Sequence, residues 1–182
     1  MPVGTVFTAR HHPYGAPMTT NKKVTLGILA GSIAGAVALT VAPATSAPGA
    51  QVTRGDFHPF AAGQSLDIGG RALMVRSPNG STRVRIRVDG LTPFGSYASH
   101  VHKQACANGD ADGHFQQHGP TAGVTPPNEI WPGDGPWTAD RRGRAHVRTR
   151  APYVANADAV SVVVHDLTLP STANKVACAD LS

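Results

Sequence analysis

The chain has 182 residues, 41% of them hydrophobic and only 15% charged, with a net charge of +5. That length suits one folded domain plus a processing segment. Arg10, Lys22 and Lys23 are the only basic residues in positions 1–50 and no acid lies there, so the remainder carries +2; the compositional case for nucleic-acid binding falls away, while a mildly positive surface still favours small anionic substrates.

Residues 1–17 are read as an extension upstream of a true start at Met18, which leaves His11 and His12 without a role. Residues 18–47 then run basic (Met18-Thr-Thr-Asn-Lys-Lys), apolar (Val24 to Val41) and small (Ala42 to Ala47), the order of a secretory signal peptide. A bare membrane anchor is the competing reading. The run is near the lower length for one, but its Gly and Ala content makes it weakly hydrophobic. Cleavage is expected between Ala44 and Ala50. Residues 48–182 would then form a secreted or cell-envelope domain that meets the membrane only in transit.

Along that domain the pattern is all-β. Leu66, Ile68 and Ala72 to Val75 read as a first pair of strands broken at Gly69-Gly70, and Asn79-Gly80 as a hairpin turn. Arg83 to Val88 alternates strictly, valine and isoleucine on one face and arginine on the other. The arginine stripe reads as a solvated strand face that also guards a sheet edge; an anion-binding or polyanion-binding surface is the alternative. After the turn at Asp89 to Pro93, Ser96 to Lys103 forms the next strand. Ala105 to Pro136 is rich in Gly, Pro, Asp and Asn, a long loop of the kind that is usually functional. Ala145 to Arg150, Ala159 to His165 and Lys175 to Leu181 complete seven or eight short strands, a Greek-key sandwich or barrel of about eight antiparallel strands.

His100-Val-His102 carries the chemistry. Two histidines at i and i+2 in a strand place both imidazoles on one face. His114, from the glycine-rich loop, and His165, at the end of Val160-Ser-Val-Val-Val, can complete a four-nitrogen site. All-imidazole ligation suits copper and zinc, and four nitrogens near a plane suit copper(II) best. Cys106 and Cys178 are the two cysteines. An exported pair reads as one disulfide closing a loop of more than seventy residues; a thiol metal ligand is the alternative.

From about Arg83 to Leu181 the residues resemble the copper-zinc superoxide dismutases, in particular their exported bacterial branch. The likeness rests on Gly90-Leu-Thr-Pro93 followed by His100-Val-His102, Gly113-His-Phe115, Gly133-Asp134 with Thr138-Ala-Asp140 and Gly143, Val162-Val-Val-His165, and Lys175-Val-Ala-Cys178. The resemblance implies copper ligation by His100, His102, His114 and His165, a Cys106–Cys178 disulfide, and superoxide anion as substrate. It also implies that His114 relays protons and that Lys175 attracts the anion.

Three departures qualify these expectations. His114, His118 and Asp134 match candidate zinc ligands, but Trp131-Pro-Gly-Asp134 stands where the family has His-x-Gly-Asp, and tryptophan cannot bind zinc. Structural zinc sites usually have four ligands, so copper without a standard zinc site is the favoured reading. His114 would then need another partner for its second ring nitrogen, with Glu129 and Asp134 as candidates. Lys175 replaces an arginine and loses its planar fork of donors, so reduced activity is expected. Only twelve residues separate His165 from Cys178, which implies a copper site more open to solvent. A non-catalytic exported copper-binding or buffering protein is the rival reading, and a sandwich that has lost its metal is a third. No sequence feature specifies an oligomeric state.

Overall fold

The alternation of Arg83 to Val88 governs the first layer. Strands β1 (Gln51–Asp56), β3 (Gly69–Ser77), β4 (Ser81–Asp89) and β7 (Ala145–Ala151) form an antiparallel sheet in the order β1-β3-β4-β7. Val84, Ile86 and Val88 of β4 are buried and Arg83, Arg85 and Arg87 exposed, so the sheet turns one face inward and one to water. The second sheet, in the order β2-β9-β8-β5-β6, comprises β2 (His58–Pro59), β9 (Lys175–Asp180), β8 (Ser161–Asp166), β5 (Ser96–His102) and β6 (Trp137–Thr138). These assignments come from a computed structural model that describes residues 49–182, in which the only helical segments are two 3-10 turns, Ala61–Gly63 and Pro120–Ala122. The expected signal peptide and upstream extension lie outside the described residues.

Met74, Ile86, Tyr97, Val101, Phe115 and Val162 meet between the sheets, each at most 1% exposed. Burying such side chains contributes about 1.5–3 kcal/mol apiece. The described residues belong to one compact unit, and the architecture is the expected antiparallel β-sandwich, two layers of four and five strands. Three details differ from the expectations above. β1 and β2 precede the first expected strand. Gly69-Gly70 opens β3 instead of breaking it, because Gly70 (φ 126°) lets the chain pass against the Arg87 carbonyl, which a Cβ would strike. Finally, β4 lies between β3 and β7, so its arginines guard no edge.

Cys106 and Cys178 are joined in a disulfide, with 72 residues of separation, and no described cysteine is free. The thiol-ligand alternative is thereby closed. The link anchors the start of the long loop to β9 and stabilises by about 4 kcal/mol on the loop-closure account.

Arg76 is a buried arginine whose partners are backbone carbonyls and one hydroxyl. Its Nε donates to Ala155 O (2.9 Å), Nη2 to Ala159 O (3.1 Å) and Asn156 O (3.4 Å), and Nη1 to Thr53 Oγ1 (3.3 Å). One guanidinium thus ties the 155–159 loop to β3 and β1. Arg76→Ala leaves the two buried acceptors, Ala155 O and Ala159 O, without a donor, each worth about 1–3 kcal/mol. Urea unfolding of that variant is expected to lose roughly 3 kcal/mol; a loss under about 1 kcal/mol would mean that water replaces the guanidinium without penalty.

Candidate metal centre

The outward face of the five-stranded sheet carries the histidines. In β5, Tyr97 and Val101 point into the core, which leaves His100 and His102 on the other face; in β8, Val162 and Val164 point inward and His165 outward. The register sets His102 opposite Ser161, His100 opposite Val163 and Ala98 opposite His165, so the three rings neighbour one another across β5 and β8. His114 arrives from the long loop, which lies along the far side of β5. His102 and His114 form an isolated bridge, with Lys103 N donating to Gly113 O (3.1 Å) and Phe115 N to Val101 O (2.9 Å). Gly113 permits this approach because its φ of 72° is a left-handed conformation that residues with a Cβ rarely adopt.

His100, His102, His114 and His165 offer ring nitrogens that all lie within 4.8 Å of one another. That span is only slightly more than twice a metal–imidazole bond of about 2.0–2.1 Å. The hydrogen bonds assign the nitrogens. His102 Nδ1 donates to Ala111 O (2.5 Å) and His165 Nδ1 to Asn174 Oδ1 (3.0 Å), since both partners are acceptors. His114 Nδ1 donates to Glu129 Oε2 (2.9 Å), which leaves its Nε2 3.1 Å from His100 Nδ1. His102 Nε2 and His165 Nε2 are therefore bare lone pairs, buried and without any hydrogen-bond partner among the described residues.

Two orphaned acceptors pointing into a cluster of imidazoles are costly unless a cation sits between them. The electrostatics agree. Burial, followed by the neighbouring histidines, holds His100 down to about 3 and His102 to about 2. Burial likewise lowers His165 to about 4 against the opposing hydrogen bond to Asn174. These rings are neutral at physiological pH, the form in which imidazole ligates a metal. The donor set therefore fits a nitrogen-preferring transition ion such as copper or zinc.

Glu129 organises the approach to this cluster. It is 2% exposed, and it accepts from His114 Nδ1 and Trp131 Nε1 (2.8 Å) at Oε2 and from Gln116 Nε2 (3.0 Å) at Oε1. Three donors hold one buried carboxylate and fix the His114 ring. Trp131 also packs its ring 4.7 Å from that of His100. Trp131, Gln116 and Asn174 are contributors that no sequence motif marked, because each acts through a histidine or carboxylate rather than as a ligand.

The three candidate zinc residues, His114, His118 and Asp134, have separate partners. Among the described residues His114, His118 and Asp134 form no ligand group. The nitrogen of His114 that a second metal would need is occupied by Glu129. Asp134 accepts a hydrogen bond from Thr149 Oγ1. His118 lies against Tyr153, ring centroids 6.0 Å apart, with its backbone held by Asn128. Lys175 faces His165 across β8 and β9, and its Nζ donates to Asp110 O (2.8 Å). The site is half open: His102 and His165 are buried, His100 and His114 partly exposed.

No protein-family model matches the sequence, and no curated protein matches it in sequence. In structure the chain is similar to superoxide dismutase 5 of Candida albicans in its copper(II) form, with a TM-score of 0.50 and 17% identity over 71% of this chain and 90% of that one. A single-site variant of the same Candida protein is matched at a TM-score of 0.49 and 16% identity, over 74% of this chain and 92% of its own. At this identity the likeness establishes a shared β-sandwich fold.

Proposed function

We propose that this chain is an exported copper-dependent superoxide dismutase that works without a standard zinc site, residues 18–47 serving as its signal peptide and residues 48–182 as its catalytic domain. The observation that carries the reading is the pair of buried, unpartnered nitrogens on His102 and His165, converging with His100 and His114 on one point. The fold shared with a copper dismutase supports it. The disulfide supports an oxidising, extracytoplasmic setting.

His100 Nδ1 and the Nε2 atoms of His102, His114 and His165 would hold the copper. Copper, when bound, supplies the one-electron exchange by which one superoxide is oxidised to dioxygen and a second is reduced to hydrogen peroxide with uptake of two protons. The protein's part is placement, attraction and proton supply. Asn174 and the Ala111 carbonyl hold the rings of His165 and His102 in the tautomer that presents Nε2 inward. Glu129 keeps the proton of His114 on Nδ1, so Nε2 is the atom that would hold the copper and, whenever it does not, can take up and return a proton. Lys175 supplies positive charge beside the partly exposed mouth, and as a point charge without arginine's fork it orients an incoming anion less strictly.

The test is metal content and superoxide consumption of residues 49–182 after loading with copper. One copper and no zinc per chain, with turnover, is the expected result. Failure to retain copper after dialysis would remove the proposal. Retained copper without turnover would establish a copper-binding or buffering protein instead.

A further inference from the structure

The outward face of the four-stranded sheet carries a feature that the metal centre does not use. Register and exposure place Arg83, Arg85 and Arg87 of β4 beside Arg150, Arg148 and His146 of β7, residue directly opposite residue. On the other flank Arg87 pairs with Arg71 of β3, and Arg54 of β1 lies across from Leu73. Like charges directly opposite on neighbouring strands destabilise a sheet, and a face built only for solvation interleaves both signs. Here the acids on the face are Asp56, paired with Arg71 at 2.9 Å, and Asp89 at the end of β4; among the described residues no other ion pair lies on it. Among the described residues the arginines of β4 and β7 have no carboxylate within ion-pair distance. Asp134 stands at the rim, engaged by Thr149.

We propose that this face binds a linear polymer carrying phosphate groups. Arginines two apart on one strand are spaced about 6.8 Å, and opposite partners lie about 4.5–5.5 Å apart at Cα. The result is a ladder of paired guanidinium forks. Each pair can engage one tetrahedral phosphate from two sides, where a planar carboxylate offers a single edge to a single fork. A shallow groove bordered by Leu73, Val75, Arg83, Arg85, Arg148 and Arg150 runs along the ladder.

Charge opposes a symmetric dimer through this face, since two such faces repel. The face offers no Phe, Tyr or Trp on which a nucleobase would stack. Of the exposed large hydrophobics only Val52 lies on it, too little for membrane insertion. The histidines occupy the opposite outer face of the sandwich, so a bound polymer leaves the candidate metal centre clear.

Fluorescence anisotropy with labelled inorganic polyphosphate, against residues 49–182 at low salt, tests this. Binding is expected to weaken steeply with salt. R85E/R148E is expected to bind more than tenfold more weakly, and R141E/R142E, with the same change of charge on the turn before β7, within about twofold of the parent. The neutral variant R85Q/R148Q is expected to lose binding while melting at an equal or higher temperature, because a like-charge pair is relieved. That combination separates a binding role from a structural one. Equal losses in R85E/R148E and R141E/R142E would reduce the effect to net charge and overturn the site. Absence of binding at low salt would overturn it as well, as would tighter binding to vesicles of anionic phospholipid than to the polymer.

Discussion

Replacing His102 by alanine is expected to leave the sandwich folded and to strip it of copper, lowering affinity by well over a hundredfold. The reasoning starts from what the ring does now. His102 is 1% exposed, its Nδ1 is committed to the Ala111 carbonyl, and its Nε2 has no partner. Loss of a group that only orients a ligand already costs 10–100-fold in metal affinity or activity. Loss of a ligand itself must cost more. Glu129→Gln is the instructive contrast. All four ring nitrogens remain, so copper should stay near one per chain. However, one of the three donors converging on that carboxylate, from His114, Trp131 and Gln116, would meet an amide N–H. Activity is therefore expected to fall by roughly 10–100-fold with the metal retained. Copper quantified after dialysis, beside superoxide consumption, reads both variants. Full copper in His102→Ala would show that the cluster is not the binding site. Unchanged activity in Glu129→Gln would show that His114 needs no orientation.

The order in which these features became legible follows from their chemistry. β4 could be read from one strand alone because Val84, Ile86 and Val88 alternate with arginines, and burial on one face follows that pattern. His100 and His102 could be read as a pair for the same reason. β1 could not: Gln51–Asp56 has a single large hydrophobic residue, Val52, and it is exposed. Its strand state comes from pairing with β3. β2 and β6 are two residues each, shorter than any periodicity. The arginine stripe was read within β4, but its meaning changes once β7 sets Arg148 and Arg150 against it, because pairing across strands is not written in either segment. Glu129 and Asp134 were equivalent candidates by proximity to His114. The fold separates them: His114 and Trp131 both donate to Glu129, whereas Asp134 accepts from Thr149.

Acid should destabilise the metal-free protein far more than its carboxylates alone would. His100, His102 and His165 are held at about 3, 2 and 4, chiefly by burial, against an ordinary value of 6.5. As pH falls below 6.5 the unfolded chain takes up protons on these rings while the folded chain does not. Stability therefore rises with pH across this window, is complete above about 6.5, and drains away as pH falls toward 4, where His165 begins to protonate in the fold. Each ring contributes about 1.4 kcal/mol per pH unit within the window. Between pH 7 and pH 5 the three together cost roughly 5 kcal/mol if they act independently. A loss of that size is a large fraction of the stability of a small domain. Copper should shift the acid limb downward, since it binds only the deprotonated rings and only the folded arrangement. Urea unfolding of metal-free and copper-loaded protein at pH 7 and pH 5 measures both effects. His102→Gln should remove about a third of the metal-free difference. A metal-free protein equally stable at both pH values would mean that water reaches these rings and that the cluster is not the dry, preformed site that its unpartnered nitrogens indicate.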